Sequence, residues 1–159
     1  MINGFDPIIG SNPKYLILGS APSVSSLEKG QYYGNNRNSF WVIISSIFNG
    51  PKLNNYSNKI QFITDNNIIL WDVIKNCERE GSLDSNIKNV EVNKIKDLFL
   101  KYKTIEKVVF NGKMAQGLYK KHINYYPTGI QFKSLPSSSP AYTMKTEDKI
   151  IKWKEFIIN

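Results

Sequence analysis

The chain has 159 residues, 41% hydrophobic and 13% aromatic, which suits one domain with its own core and argues against disorder. Its formal net charge is +8, from 21 Lys+Arg against 13 Asp+Glu. A single cysteine, Cys77, and a single histidine, His122, exclude an intramolecular disulfide, a four-cysteine zinc centre and an iron–sulfur cluster, and leave Ser-His or Cys-His hydrolysis only if His122 takes part.

The basic balance suits a polyanionic partner, because each neutralised phosphate releases counterions, and it also follows from a Lys-, Asn- and Ile-rich composition alone. The longest apolar runs are too short to span a bilayer, and Met1-Ile2-Asn3-Gly4 does not open a signal peptide. One domain over residues 1–159 is expected, in the cytoplasm, without a metal or cofactor.

Four short apolar runs read as buried parallel strands: Tyr15–Gly19, Ile68–Trp71, Lys107–Phe110 and Ile130–Leu135. Between them, Phe40 to Phe48 is apolar on most faces and predicts a helix buried between layers. Val92, Ile95, Leu98 and Phe99 follow helical spacing, and Met114 to Ile123 predicts a further helix after Gly112. Ile150, Trp153 and Ile157 share one face of a last helix that starts near Thr146-Glu147-Asp148. Strands alternating with helices predict an α/β fold, a three-layer α/β/α sandwich around a four-stranded parallel sheet. In such folds ligands bind beyond the carboxyl ends of the strands, which singles out the loops after Gly19, Trp71, Phe110 and Leu135.

The first loop, Gly19-Ser20-Ala21-Pro22-Ser23, offers backbone N–H groups to a phosphate or a base carbonyl, yet it has neither a Walker A pattern nor GxGxxG. The segment Gln31 to Trp41 concentrates amides and aromatics before the buried helix. Asn38 within it reads as a helix cap, a role compatible with facing a site. Asn111-Gly112 reads either as a strand-ending turn or as a carboxamide that can offer a donor and an acceptor to a base edge. Pro136-Ser137-Ser138-Ser139-Pro140 is a stiff loop of small residues, suited to close contact with a phosphate backbone or simply a surface turn.

Taken in order, these segments resemble the uracil-DNA glycosylase superfamily, and within it the hypoxanthine-DNA (deoxyinosine) glycosylase family. The resemblance runs from Leu16–Ser20 through Gln31–Tyr33, Arg37–Trp41, Leu70–Ile74, Cys77–Ser85 and Phe110–Gly112 to Leu135–Pro140. It implies a monofunctional enzyme that flips a deaminated base from DNA and hydrolyses its N-glycosidic bond. Hypoxanthine is the expected base, with uracil or a mismatched base, or an inert DNA-binding relative, as alternatives.

The resemblance also implies roles. Asn38 holds the attacking water, Phe40 stacks on the base, Asn111 reads it, and Gly19 and Ser20 line its pocket. Pro136, Ser137, Ser138 and Ser139 meet the DNA, with Tyr142 the nearest bulky residue for a wedge. Two departures matter. Ala21 stands where related enzymes carry Asp or Asn, and Leu135 where uracil-DNA glycosylases carry a histidine, so catalytic duty is expected to move to Asn38. Asp72 is the nearest carboxylate, with a helix cap or rim position as its other reading, while Glu80 and Asp84 read as structural. His122 is expected on the surface, Cys77 in the core. DNA with a damaged base is the expected partner and a monomer the expected state, and no lysine in the matched segments suggests β-lyase chemistry.

Overall fold

The structure, a computed structural model, describes residues 1–159. In chain order the elements are β1 (Ile2–Asn3), β2 (Ile8–Ile9), β3 (Tyr15–Gly19), α1 (Val24–Lys29), α2 (Phe40–Ile47), α3 (Tyr56–Asp65), β4 (Ile68–Asp72) and β5 (Ile74–Glu78). A 3-10 turn (Asp84–Asn86) follows, then β6 (Lys88–Val92), α4 (Ile95–Lys101), β7 (Lys107–Asn111), α5 (Lys113–His122), β8 (Gln131–Leu135) and α6 (Thr146–Ile157).

The central sheet has the order β2-β4-β3-β7-β8. Strands β4, β3, β7 and β8 are mutually parallel and are the four expected strands, shifted by no more than a residue at either end. Alternation along each strand divides the core. Leu16, Leu18, Val108 and Phe110 pack with α4 and α5 on one face. Ile17, Ile68, Leu70 and Val109 pack with α2, α3 and α6 on the other. Both faces are covered, which is why these strands read as continuous apolar runs.

Two features depart from the expected four strands. Strand β2 adds an antiparallel fifth strand at the edge, and a separate antiparallel sheet of order β1-β5-β6 lies beside α4. Strands β1 and β2 contain two residues each, too few to show a period. Register shifts interrupt the β5–β6 pairing, and Asn89 adopts a left-handed backbone (φ 53°), so the alternation that reveals a strand is broken there. Helices α1 and α3 were also not foreseen. In α3 only Ile63 is fully buried, so its apolar stripe is thin. No helix is long and apolar enough to cross a membrane.

From β3 the chain moves to β4 on one side, whereas from β7 it moves to β8 on the other. The sheet therefore changes winding direction between β3 and β7, where a crevice opens at the strands' carboxyl ends. Helix α6 braces that end. The fully buried Trp153 donates its indole N–H to Pro136 O (2.8 Å) and meets Phe40 edge-on at 6.2 Å. Trp153→Ala is expected to cost about 3–5 kcal/mol of stability in equilibrium urea unfolding, and a loss below about 1 kcal/mol would show that α6 is not a structural brace.

Candidate active site

A cavity of about 450 Å³ opens where the expected crevice lies, within the range of ligand pockets. The ends of β3, β4 and β7, the segment before α2 and the loop after β8 all contribute to it.

The loop after β3 turns its carbonyls toward β5. Gly19 O accepts from Val73 N–H (2.8 Å) and Ser20 O from Ile74 N–H (3.1 Å). The Ser20 and Ala21 N–H groups are consequently left free at the cavity wall. Arg79 fastens this loop from outside, donating to Pro22 O (2.6 Å) and Gly81 O (2.7 Å). Ser20 Oγ donates to Asp84 Oδ1 (3.1 Å), so Asp84 supports the loop and lines the cavity as well.

Gly19 lies beside Asp72 in the β3–β4 register. A Cβ at Gly19 would stand 2.5 Å from Asp72 Oδ1 and 2.8 Å from the Tyr33 hydroxyl. Any side chain here would displace the Asp72 carboxyl and the Tyr33 hydroxyl. Asp72 is only 4% exposed, yet its carboxyl accepts no hydrogen bond and has no cation at ion-pairing distance. It caps no helix. The nearby backbone carbonyls of Asp72 and Ile74 are satisfied by the Asn93 amide instead (2.8 and 3.2 Å). Burial first, and then the neighbouring Asp84, push the Asp72 carboxyl up to about 7, against the opposing pull of Arg79.

Asn38 does both things anticipated for it geometrically. Its Oδ1 accepts from Phe40 N–H (2.9 Å) at the start of α2, and the residue lines the cavity. A backbone N–H can face only an acceptor, so this bond fixes which amide atom is oxygen. The Nδ2 group has no partner within the chain, and Oδ1 keeps a second lone pair.

Phe40 is not where a ligand can reach it. It is fully buried, edge-on to Trp41 and stacked on Tyr33 with ring centroids 4.1 Å apart at 21°. Tyr33, not Phe40, lines the cavity. The apolar pattern of α2 places Phe40 on a helix with six of its eight residues buried, Phe40 among them, and the preceding segment supplies the accessible ring. Tyr33 holds a left-handed backbone (φ 52°), and the turn around it is tied down by Lys29 Nζ donating to Gly34 O (2.6 Å) and Gly34 N–H donating to Ser26 Oγ (2.9 Å). A positive φ at an aromatic residue has no signal in the sequence beyond the adjacent Gly34.

Asn111 ends β7 facing the cavity. Its Nδ2 donates to Ser138 Oγ (2.9 Å) and to the Tyr33 hydroxyl (3.1 Å), while Oδ1 accepts from Ser138 N–H (2.9 Å). Ser138 is thus turned inward, 1% exposed, which sets it apart from the DNA-contacting place expected for it with Pro136, Ser137 and Ser139. The carboxamide needs a matched donor and acceptor inside, and Ser138 supplies both. Ser138 O also accepts from Ser39 N–H (3.0 Å), linking this loop to α2. Pro136, Ser137 and Ser139 remain at the partly exposed rim, with Ser137 packed over Gly112 (φ 96°). Tyr142 stands at the mouth, 44% exposed. His122 is exposed and Cys77 buried, as anticipated. No group of three or more His, Cys, Asp or Glu is placed to hold an ion.

The arrangement defines an α/β sandwich whose crevice offers free backbone N–H groups, the carboxamides of Asn35, Asn38 and Asn111, and an aromatic wall. The sequence profile of the uracil DNA glycosylase superfamily matches residues 7–158, and the chain belongs to that family. It is similar to a hypoxanthine DNA glycosylase of Methanosarcina barkeri, with 38% identity covering 96% of this chain and 95% of that one. A protein of the same name from Methanosarcina acetivorans is 37% identical over 95% of this chain and 94% of its own length. A solution NMR structure from M. acetivorans, provisionally named a uracil DNA glycosylase, superposes with a TM-score of 0.83 at 35% identity, covering 97% of this chain and 94% of that one.

A carboxyl raised from 3.8 to about 7 binds its proton more tightly folded than unfolded, so it costs stability once the pH passes the unfolded value. Asp72→Asn, which is isosteric and neutral, should therefore unfold later than wild type at pH 8, by an amount on the order of 4 kcal/mol. The gap should shrink as the pH falls and vanish below about pH 4. Thermal melts across that range check this, and a variant that is less stable at pH 8 would contradict it.

Proposed function

We propose that this chain is a monofunctional DNA N-glycosylase acting on hypoxanthine in DNA, as a monomer in the cytoplasm. The supporting observation is the cavity itself: a wall of free N–H groups at Ser20 and Ala21, with Asn38 and Asn111 across from it, in a chain that matches hypoxanthine DNA glycosylases over nearly its whole length.

In this reading the flipped base lies against the Tyr33 ring, which Phe40 stiffens from behind. Asn111 reads the base edge, exchanging its bond to the Tyr33 hydroxyl for one to the ligand. The free N–H groups of Ser20 and Ala21 donate to the base carbonyl and take up the electron density that moves onto the base as the glycosidic bond breaks. Asn38 positions a water against the sugar through Nδ2 and the spare lone pair of Oδ1, working by orientation, since an amide is a poor base. Pro136, Ser137 and Ser139 meet the phosphate backbone, and Tyr142 fills the gap left in the stack. The net charge of +8 makes binding steeply salt-dependent.

Duplexes each carrying one deoxyinosine, deoxyuridine or deoxyxanthosine, incubated and then heated in alkali, should break fastest at deoxyinosine. Equal or faster breakage at deoxyuridine would change the substrate to uracil, and intact strands throughout would remove the glycosylase reading.

Asn38→Ala should lower the single-turnover rate by about 100-fold or more, while the lost cap costs only about 1 kcal/mol. A wild-type rate in that variant would take Asn38 out of the mechanism.

A further inference from the structure

Two carboxyl groups reach the cavity, and the protein treats them differently. Asp84 is held by the Ser20 hydroxyl, whereas Asp72, at the end of β4, is buried but for its edge on the cavity and has no hydrogen bond and no ion pair within the chain. An ionised carboxylate in that position would be left uncompensated, while the neutral acid has an O–H that nothing in the chain accepts. The absent side chain at Gly19 gives the group its place at the cavity wall, beside the Tyr33 hydroxyl. A structural role is hard to assign to a buried acid that binds no neighbour.

We propose that Asp72 is a further catalytic residue, a general acid whose carboxyl proton passes to N7 of the flipped 6-oxopurine as the glycosidic bond breaks. This rests on the glycosylase reading above. In a 6-oxopurine attached through N9, N7 is the most basic ring nitrogen, and a proton there turns the base into a good leaving group. The C1′–N9 bond breaks with its electron pair going to N9, so the base departs as neutral hypoxanthine and Asp72 becomes a carboxylate. Water held by Asn38 adds to C1′ and releases one proton, which restores the acid through solvent. The sum is hydrolysis, with no other reactant.

The groups facing Asp72 set its working range. Asp84, from the 3-10 turn, holds its proton on, and Arg79, from the segment after β5, opposes this. Tyr32 and Tyr33, from the segment before α2, stay neutral because burial raises both hydroxyls. From β3 and β7 come only Gly19 and the uncharged Asn111. The acid is therefore present below about pH 7 and lost above it.

Single-turnover cleavage of a deoxyinosine duplex, from about pH 5.5 to pH 9, tests the assignment in wild type and Asp72→Asn. The wild-type rate should fall about tenfold per unit above about pH 7. The variant should be roughly 100-fold slower below pH 7 and lack that limb, while binding the duplex as wild type does. A variant within about threefold of wild type, or one that keeps the alkaline limb, overturns the proposal.

A second measurement needs no variant. Wild type should cleave 7-deaza-2′-deoxyinosine, which has no N7 to protonate, about 100-fold more slowly than deoxyinosine. Equal rates on the two substrates overturn the proposal and leave the glycosylase reading standing. A wild-type protein inert on deoxyinosine itself would remove both.

Discussion

Everything at the crevice depends on the missing side chain at Gly19. Parallel register sets Gly19 beside Asp72, and the volume that a Cβ would fill is taken by the Asp72 carboxyl and the Tyr33 hydroxyl. With any other residue there, both of these groups would have to shift from their places on the cavity wall. The same strand end directs the carbonyls of Gly19 and Ser20 toward β5, which frees the following N–H groups. A single glycine thus gathers an acid, an aromatic hydroxyl and two amide donors around one space.

The remaining wall is held by a short polar network. Ser138 accepts from and donates to Asn111, its carbonyl receives the start of α2, and Asn111 reaches the Tyr33 hydroxyl. Three chain segments far apart in sequence, around residues 33–39, 111 and 138, are tied in this way, which limits how far any of them can drift. Such a network is costly if half satisfied, and here the Asn111 carboxamide uses both its donors and one acceptor. Among the carboxyl groups of the cavity, Asp72 is the one without a partner in the chain. A group kept neutral and unpaired at some cost in stability is what a site built for proton donation requires.

The parallel strands were legible because both faces are buried, leaving short apolar runs such as Tyr15–Gly19 and Lys107–Phe110. Strands β1, β2, β5 and β6 were not, since they are short, bulged or polar on one face. At the site, Asn38 and Asn111 were legible from their positions at a helix start and a strand end. The exchange of Phe40 for Tyr33 was not, because it depends on a left-handed backbone at Tyr33. The inward turn of Ser138 was hidden as well, since three adjacent serines look alike until Asn111 selects one. Asp72 was visible as a carboxylate at a strand end, but only its lack of partners in space separates an acid from a cap.

The central claim is that this cavity releases an intact base from DNA. Chromatography with mass detection of the small molecules freed from a deoxyinosine duplex tests it most directly. Free hypoxanthine, equal in amount to the abasic sites formed and with the strand unbroken until alkali is added, is the predicted result. The absence of free hypoxanthine under enzyme excess would contradict the account.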